Sequence, residues 1–140
     1  MKNIIIALSM VLVSAAVNAE TYSWKVNRVN DGDTVVFNVD FLPPPLKPQL
    51  AVRVAGIDTP EKGHLAKCDK ERELSAKATE FTKAFIKNGK NILVKLIGWD
   101  KYGGRVLGDI IVDGNSLSAN LLSNGYAREY DGGTKKGWCN

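Results

Sequence analysis

Hydrophobic and polar positions alternate with a period of two over much of the first half of the chain, the pattern of strands packed on one face. Residues 22–29 read as one strand, with Trp24 and Val26 on the same face, and residues 34–39 read as its hairpin partner. Asp31-Gly32 between them is a strong turn signal. Residues 41–49 hold Pro43, Pro44, Pro45 and Pro48, a density that no strand or helix interior tolerates, so this is a semi-rigid extended connection. A third strand covers residues 51–57, where Val52 and Val54 alternate with Arg53. It stops at Thr59, because Pro60 offers no ladder N–H and restricts the residue before it.

The period then changes. After a loop over residues 61–68, Asp69 can cap a helix running to about Asn88, with Leu74, Ala78, Phe81 and Phe85 drawing one apolar stripe and Asn88-Gly89 closing it. Residues 91–96 and 105–112 read as two more strands, joined through Lys101-Tyr102-Gly103-Gly104. Asn115 or Ser116 caps a short helix carrying Leu117, Leu121 and Leu122, residues 126–130 extend once more, and residues 131–140 form a Gly- and Lys-rich tail. Five short strands with helices after the third and the fifth predict an α+β domain on a small closed β-barrel, with two or three packed helices.

The amino terminus changes the picture of compartment. A short positive start, an apolar run over residues 4–17 and small residues through Ala19 read as a signal peptide over residues 1–19, cut after Ala19. The run falls short of the roughly 20 residues needed to span a bilayer. Export to the periplasm or the medium is expected, with no membrane attachment after cleavage. Residues 20–140 then form one domain, and a monomer is expected. The formal charge of +4, or +3 without Lys2, permits a polyanionic partner without arguing for one. Cys68 and Cys139 are the only cysteines and both lie in the exported part. A disulfide between them is expected, with two free thiols or pairing between chains as the alternatives.

The candidate chemistry clusters around the third strand. Arg53, Asp58, Glu61 and the carbonyl of Thr59, which Pro60 holds extended, are parts for holding a hard metal beside a phosphate. Asp33 lies just past the first turn, and Arg105 just past the glycine-rich one. A single histidine, His64, excludes paired-imidazole catalysis and a zinc site of several histidines, and the cysteines lack metal spacing. What remains is carboxylates, arginines and an oxygen-preferring metal, calcium or magnesium.

The ordered set Asp31-Gly32-Asp33-Thr34, then Arg53 with Asp58-Thr59-Pro60-Glu61, then Asp100-Lys101-Tyr102-Gly103-Gly104-Arg105, resembles the staphylococcal nuclease (thermonuclease) family over roughly residues 22–130. The resemblance implies a five-stranded OB-fold barrel and a calcium-dependent, sugar-nonspecific endonuclease acting on single-stranded DNA or RNA. It implies Asp33, Asp58 and the Thr59 carbonyl as Ca2+ ligands, and Arg53, Glu61 and Arg105 as the catalytic residues. Lys101 and Tyr102 would contact the terminal phosphate, and Tyr130 would stack on a base or sugar. The two glycines before Arg105 depart from the family's commoner single glycine and could displace that arginine. The alternative reading is a non-catalytic OB-fold module that binds nucleic acid or a protein.

Overall fold

The structure, a computed structural model, describes residues 20–140, so the signal peptide expected over residues 1–19 lies outside the described residues. The chain is mixed α+β. A seven-stranded sheet contains β1 (Thr21–Tyr22), β2 (Lys25–Asp31), β3 (Thr34–Asn38), β4 (Gln49–Val54), β6 (Ile92–Trp99), β7 (Arg105–Val112) and β8 (Asn115–Ser116). A separate pair joins β5 (Ile57–Asp58) to β9 (Arg128–Glu129). Two α-helices, α1 (Asp69–Lys87) and α2 (Leu117–Ser123), complete the chain with a 3-10 turn at Gly63–Leu65.

The expectation of five strands is corrected to nine among the described residues, for local reasons. The strand expected at residues 22–29 divides at Ser23-Trp24: β1 pairs with β6, whereas β2 pairs with β3. The strand expected at residues 51–57 ends at Val54, because Gly56 turns with φ 77°, and Ile57-Asp58 starts a new pairing with β9. Alternation encodes which face a residue takes, not which strand it meets. The strand order is β1-β6-β7-β4-β3-β2, with β8 on the side of β7, and the two end strands are not hydrogen-bonded to each other among the described residues. Only two residues separate β1 from β2. Both ends of the sheet therefore belong to one short stretch of chain, and the sheet has to curl.

The core lies inside that curl and beneath the helices, built from Phe37, Val52, Val54, Ile57, Ile110, Leu117 and Leu121 with their neighbours. Helix α1 starts at Asp69 as its first residue. Its cap is Cys68, whose Sγ accepts the Glu71 N–H at 3.4 Å, which corrects Asp69 as the capping residue. Asp69 and Glu71 still suit the positive end of the helix dipole. The buried side of α1 includes Ser75, Ala78 and Thr82, a rotation from the stripe drawn through Leu74, Phe81 and Phe85. The cause is the turn at Gly32. A Cβ there would come 2.9 Å from Ala78 Cβ, and Thr82 Oγ1 donates to the Gly32 carbonyl at 2.7 Å. Small residues on the helix let it sit directly on the Asp31-Gly32-Asp33 turn. Ser116 caps α2, its Oγ accepting the Ala119 N–H at 3.1 Å.

Candidate active site

Register brings the first two carboxylate-bearing stretches together. Thr34 pairs with Arg53 across β3 and β4, and the Val54 N–H donates to the Asp33 carbonyl at 2.8 Å. After Gly56 the chain returns, and the Thr59 N–H donates to Asp33 Oδ2 at 3.2 Å. Asp33, Asp58 and Thr59 therefore converge although 25 residues of chain separate the first two. All three are buried, as is Arg53.

Arg53 stands between the acids. Its Nη1 donates to the carbonyls of Val54 at 3.2 Å and Ile57 at 3.1 Å. Its Nη2 lies 3.5 Å from Asp33 Oδ2 and 3.6 Å from Asp58 Oδ1, distances of ion pairing rather than direct hydrogen bonding. The guanidinium is fixed by the carbonyls of its own strand exit, so it is oriented before any ligand arrives.

A cleft of about 770 Å³ opens beside it, lined by Asp31, Arg53, Glu61, Trp99, Lys101, Tyr102, Arg105, Tyr130 and Lys135, among others. Arg105 belongs to this cleft despite the additional glycine. Gly103 and Gly104 both take positive φ, 71° and 72°, and close a turn in which the Gly103 N–H donates to the Asp100 carbonyl at 3.0 Å. Two left-handed residues absorb the insertion at little steric cost. Arg105 Nε donates to the buried carboxylate of Asp100. Burial alone would raise the Asp100 pKa, but the hydrogen bond and charge of Arg105 outweigh it and hold the carboxyl below its usual range.

The remaining expected residues are also at the cleft. Lys101 Nζ donates to the Gly132 carbonyl at 2.8 Å and lies 5.1 Å from the Tyr102 ring, which is open to solvent. The Tyr130 ring lies 5.7 Å from the Arg53 guanidinium, and its hydroxyl donates to the Gly133 carbonyl at 3.0 Å. Cys68 and Cys139 form a disulfide with a Cα separation of 6.0 Å. His64 lies exposed in the 3-10 turn.

Three polar residues of the site went unassigned in the sequence. In the sequence Asp31 reads only as a turn residue. It is packed into the cleft wall, and its Oδ1 has no hydrogen-bond partner. Burial, the adjacent charge of Asp33 and a hydrogen bond with it push the Asp31 carboxyl up to about 7. Glu71, buried at the start of α1, accepts the N–H of Glu61 at 3.1 Å and of Lys67 at 2.8 Å. It holds the loop that presents Glu61. An acid three residues after a helix cap is a capping-box position, which was a usable signal. Lys135, from the tail, places Nζ 2.8 Å from both Asp58 Oδ1 and Glu61 Oε1. Apart from this ammonium and the Arg53 guanidinium at 3.6 Å, Asp58 Oδ1 has no polar partner. Burial would lower the Lys135 pKa, but hydrogen bonding to the two carboxylates, together with their charges, raises it.

A stability measurement tests the Asp31 environment. Between the unfolded value of 3.8 and about 7, the folded protein keeps a proton on Asp31 that the unfolded chain has lost. Stability from this group is full below 3.8 and falls as pH rises through that window. In excess chelator, Asp31→Asn is expected to flatten the decline in melting temperature between pH 4 and 8 relative to wild type. Parallel curves for the two proteins would contradict the raised carboxyl.

Whether these groups suit a metal can be judged from their atoms. Among the described residues no three His, Cys, Asp or Glu side chains are arranged as a metal-holding group. The expected donor set is smaller, with two buried carboxylates and the Thr59 carbonyl. All of it is hard oxygen, and Asp58 Oδ1 meets only side-chain cations, Lys135 at 2.8 Å and Arg53 at 3.6 Å. That chemistry fits a hard divalent cation, which would complete its shell with water.

Comparison with known families decides the grouping. A family model described as staphylococcal nuclease homologue matches residues 51–137, more than half of the chain. The chain belongs to this family. No curated protein matches it. The staphylococcal nuclease homologue match includes Arg53, Asp58, Thr59, Glu61, Lys101, Tyr102, Arg105 and Tyr130, but begins after Asp33. The hydrogen bond from Thr59 and the pairing of β3 with β4 connect Asp33 to the matched region.

Proposed function

We propose that this protein is an exported, calcium-dependent, sugar-nonspecific endonuclease that hydrolyses phosphodiester bonds in single-stranded DNA and RNA as a monomer. The observation that carries the reading is the Arg53 guanidinium held between Asp33 and Asp58, with Arg105 and Glu61 at the same cleft. The curled sheet fits an OB-type barrel whose first strand is the bent segment formed by β1 and β2, with β3, β4, β7 and β6 as the other four. One parallel pair, β4 with β7, and antiparallel pairing elsewhere agree with that arrangement.

Phosphodiester hydrolysis needs the phosphate neutralised, added charge stabilised in the transition state and a water delivered. Arg53 and Arg105 each present a fork for phosphate oxygens. Glu61, positioned by Glu71, orients or deprotonates the water, which attacks phosphorus in line and expels the 5′ oxygen to leave a 3′-phosphate. Asp33, Asp58 and the Thr59 carbonyl would hold calcium, which would supply further positive charge to the phosphate. Lys101 and Tyr102 would contact a terminal phosphate, and Tyr130 would stack on the base or sugar.

The test is incubation of residues 20–140 with single-stranded DNA and with RNA, in calcium or in excess chelator. Cleavage to 3′-phosphate ends in calcium alone is expected, with magnesium a poor substitute because it demands tighter octahedral geometry. Undiminished cleavage in chelator would remove the metal assignment, and binding without cleavage in calcium would leave a non-catalytic module. Glu61→Gln is expected to lower the single-turnover rate while nucleotide binding changes little, since it removes a proton acceptor but keeps the shape. An equal loss of both would mean that Glu61 holds the structure or the metal instead.

A further inference from the structure

We infer that Lys135 is a resident counter-cation of the carboxylate site, and that a divalent cation must displace its ammonium in order to bind. The inference rests on the calcium reading above. Lys135 reaches the site from a strap of chain fastened on both sides. Before it, Lys101 donates to the Gly132 carbonyl at 2.8 Å and Tyr130 to the Gly133 carbonyl at 3.0 Å. After it, the buried Trp138 lies 4.0 Å from the Arg128 guanidinium, and Cys139 is bonded to Cys68. Between these anchors the ammonium bridges Asp58 Oδ1 and Glu61 Oε1, 2.8 Å from each. It thus touches one expected metal ligand and the expected water-activating residue at once.

The two cations cannot share Asp58 without cost. Calcium binds a carboxylate oxygen at about 2.3–2.6 Å. With the ammonium 2.8 Å from that same oxygen, the positive centres would lie only about 5 Å apart at most. Repulsion at that range inside a partly desolvated cleft is large. The Lys135 side chain is 42% exposed, with Gly133 two positions before it and Gly137 two positions after, so it can swing outward while the strap stays fastened. The metal-free protein then keeps its acids paired. Calcium affinity is set by the difference between gaining the metal and losing the ammonium, and release of Lys135 also frees Glu61.

Direct calcium titration by calorimetry, without nucleic acid, tests this on residues 20–140. The proteins are wild type, Lys135→Met, and Lys136→Met as a control for loss of one charge from the same tail. Lys135→Met is expected to bind calcium about tenfold more tightly than wild type, and Lys136→Met within about twofold of it. Melting curves in chelator check that each variant is folded, with Lys135→Gln taking the place of a Met variant that is not. Binding by wild type that Lys135→Met does not tighten beyond Lys136→Met overturns the inference and leaves the calcium site standing. Absence of calcium binding by every protein removes both. Binding by Lys135→Met where wild type is silent supports the inference.

Discussion

Arg53→Ala is expected to slow phosphodiester cleavage by on the order of 10²- to 10³-fold, because a preorganised charged donor contributes about 3–4 kcal/mol at a transition state of this kind. The preorganisation is visible in the two carbonyls, of Val54 and Ile57, that fix the guanidinium before substrate arrives. The same substitution leaves Asp33 and Asp58 without their buried cation, and breaking a buried pair costs on the order of 3–5 kcal/mol of stability. Loss of fold and loss of chemistry must therefore be separated. Arg53→Lys retains the charge but not the planar fork, so it should stay folded and still lose most of the rate. Single-turnover cleavage alongside thermal melts reads both quantities. Arg53→Lys cleaving at the wild-type rate would remove the guanidinium from the mechanism. Arg105→Ala should also cost on the order of 10²-fold. Its side chain is 34% exposed and shared with Asp100, so near-wild-type activity there would mean that only Arg53 meets the phosphate.

Removing the disulfide is expected to lower stability by as much as breaking the buried Arg53 pairs does. Cys68 and Cys139 are 71 positions apart, and closing a loop of that length is worth about 4 kcal/mol in the chain-entropy model, with native-state strain subtracting from it. For a domain of this size the corresponding fall in melting temperature is on the order of 10 °C. Both single variants should be made, because Cys68 also caps α1. Cys68→Ser retains a capping oxygen, whereas Cys139→Ser leaves the cap untouched. The loss common to both is that of the cross-link. Calorimetric melts without reductant decide it. Variants melting within a degree or two of wild type would show that the tail is held by Trp138 and its neighbours alone. Beyond stability, the bridge ends beside Glu71, whose carboxylate holds the Glu61 loop, so cleavage should weaken along with melting temperature.

Much of the site was legible because its residues are close in sequence. Arg53, Asp58, Thr59 and Glu61 fall within nine positions, and a strand running into a proline necessarily delivers them to one end of the sheet. Asp33 could be placed beside them only through the family's motif order. The atoms that unite them are the Asp33 carbonyl and carboxylate, which accept the N–H groups of Val54 and Thr59. Asp31, two positions earlier, carried the same kind of signal, but a turn explained it fully. Its surroundings depend on a helix more than 40 residues away, which packs on the neighbouring Gly32 through Ala78 and Thr82.

The sequence by itself determined the alternation of extended and helical segments, the two turn motifs, the run of polar groups from Arg53 to Glu61, and the cysteine pair. Each of these follows from a local rule: period, turn chemistry, proline sterics, or the arithmetic of two cysteines. Tertiary structure alone decided which strand meets which. It divided the first strand between β6 and β3, and it sent Ile57-Asp58 to pair with Arg128-Glu129. It also set Lys135 against Asp58 and Glu61, more than 70 positions away. Periodicity specifies a face and leaves the partner open, because hydrogen-bonding edges are alike along every strand. A lysine in a polar tail has no pattern to mark it. Its place comes from the disulfide and Trp138 on one side and the cleft on the other, and from two carboxylates, one of them buried, that attract its charge.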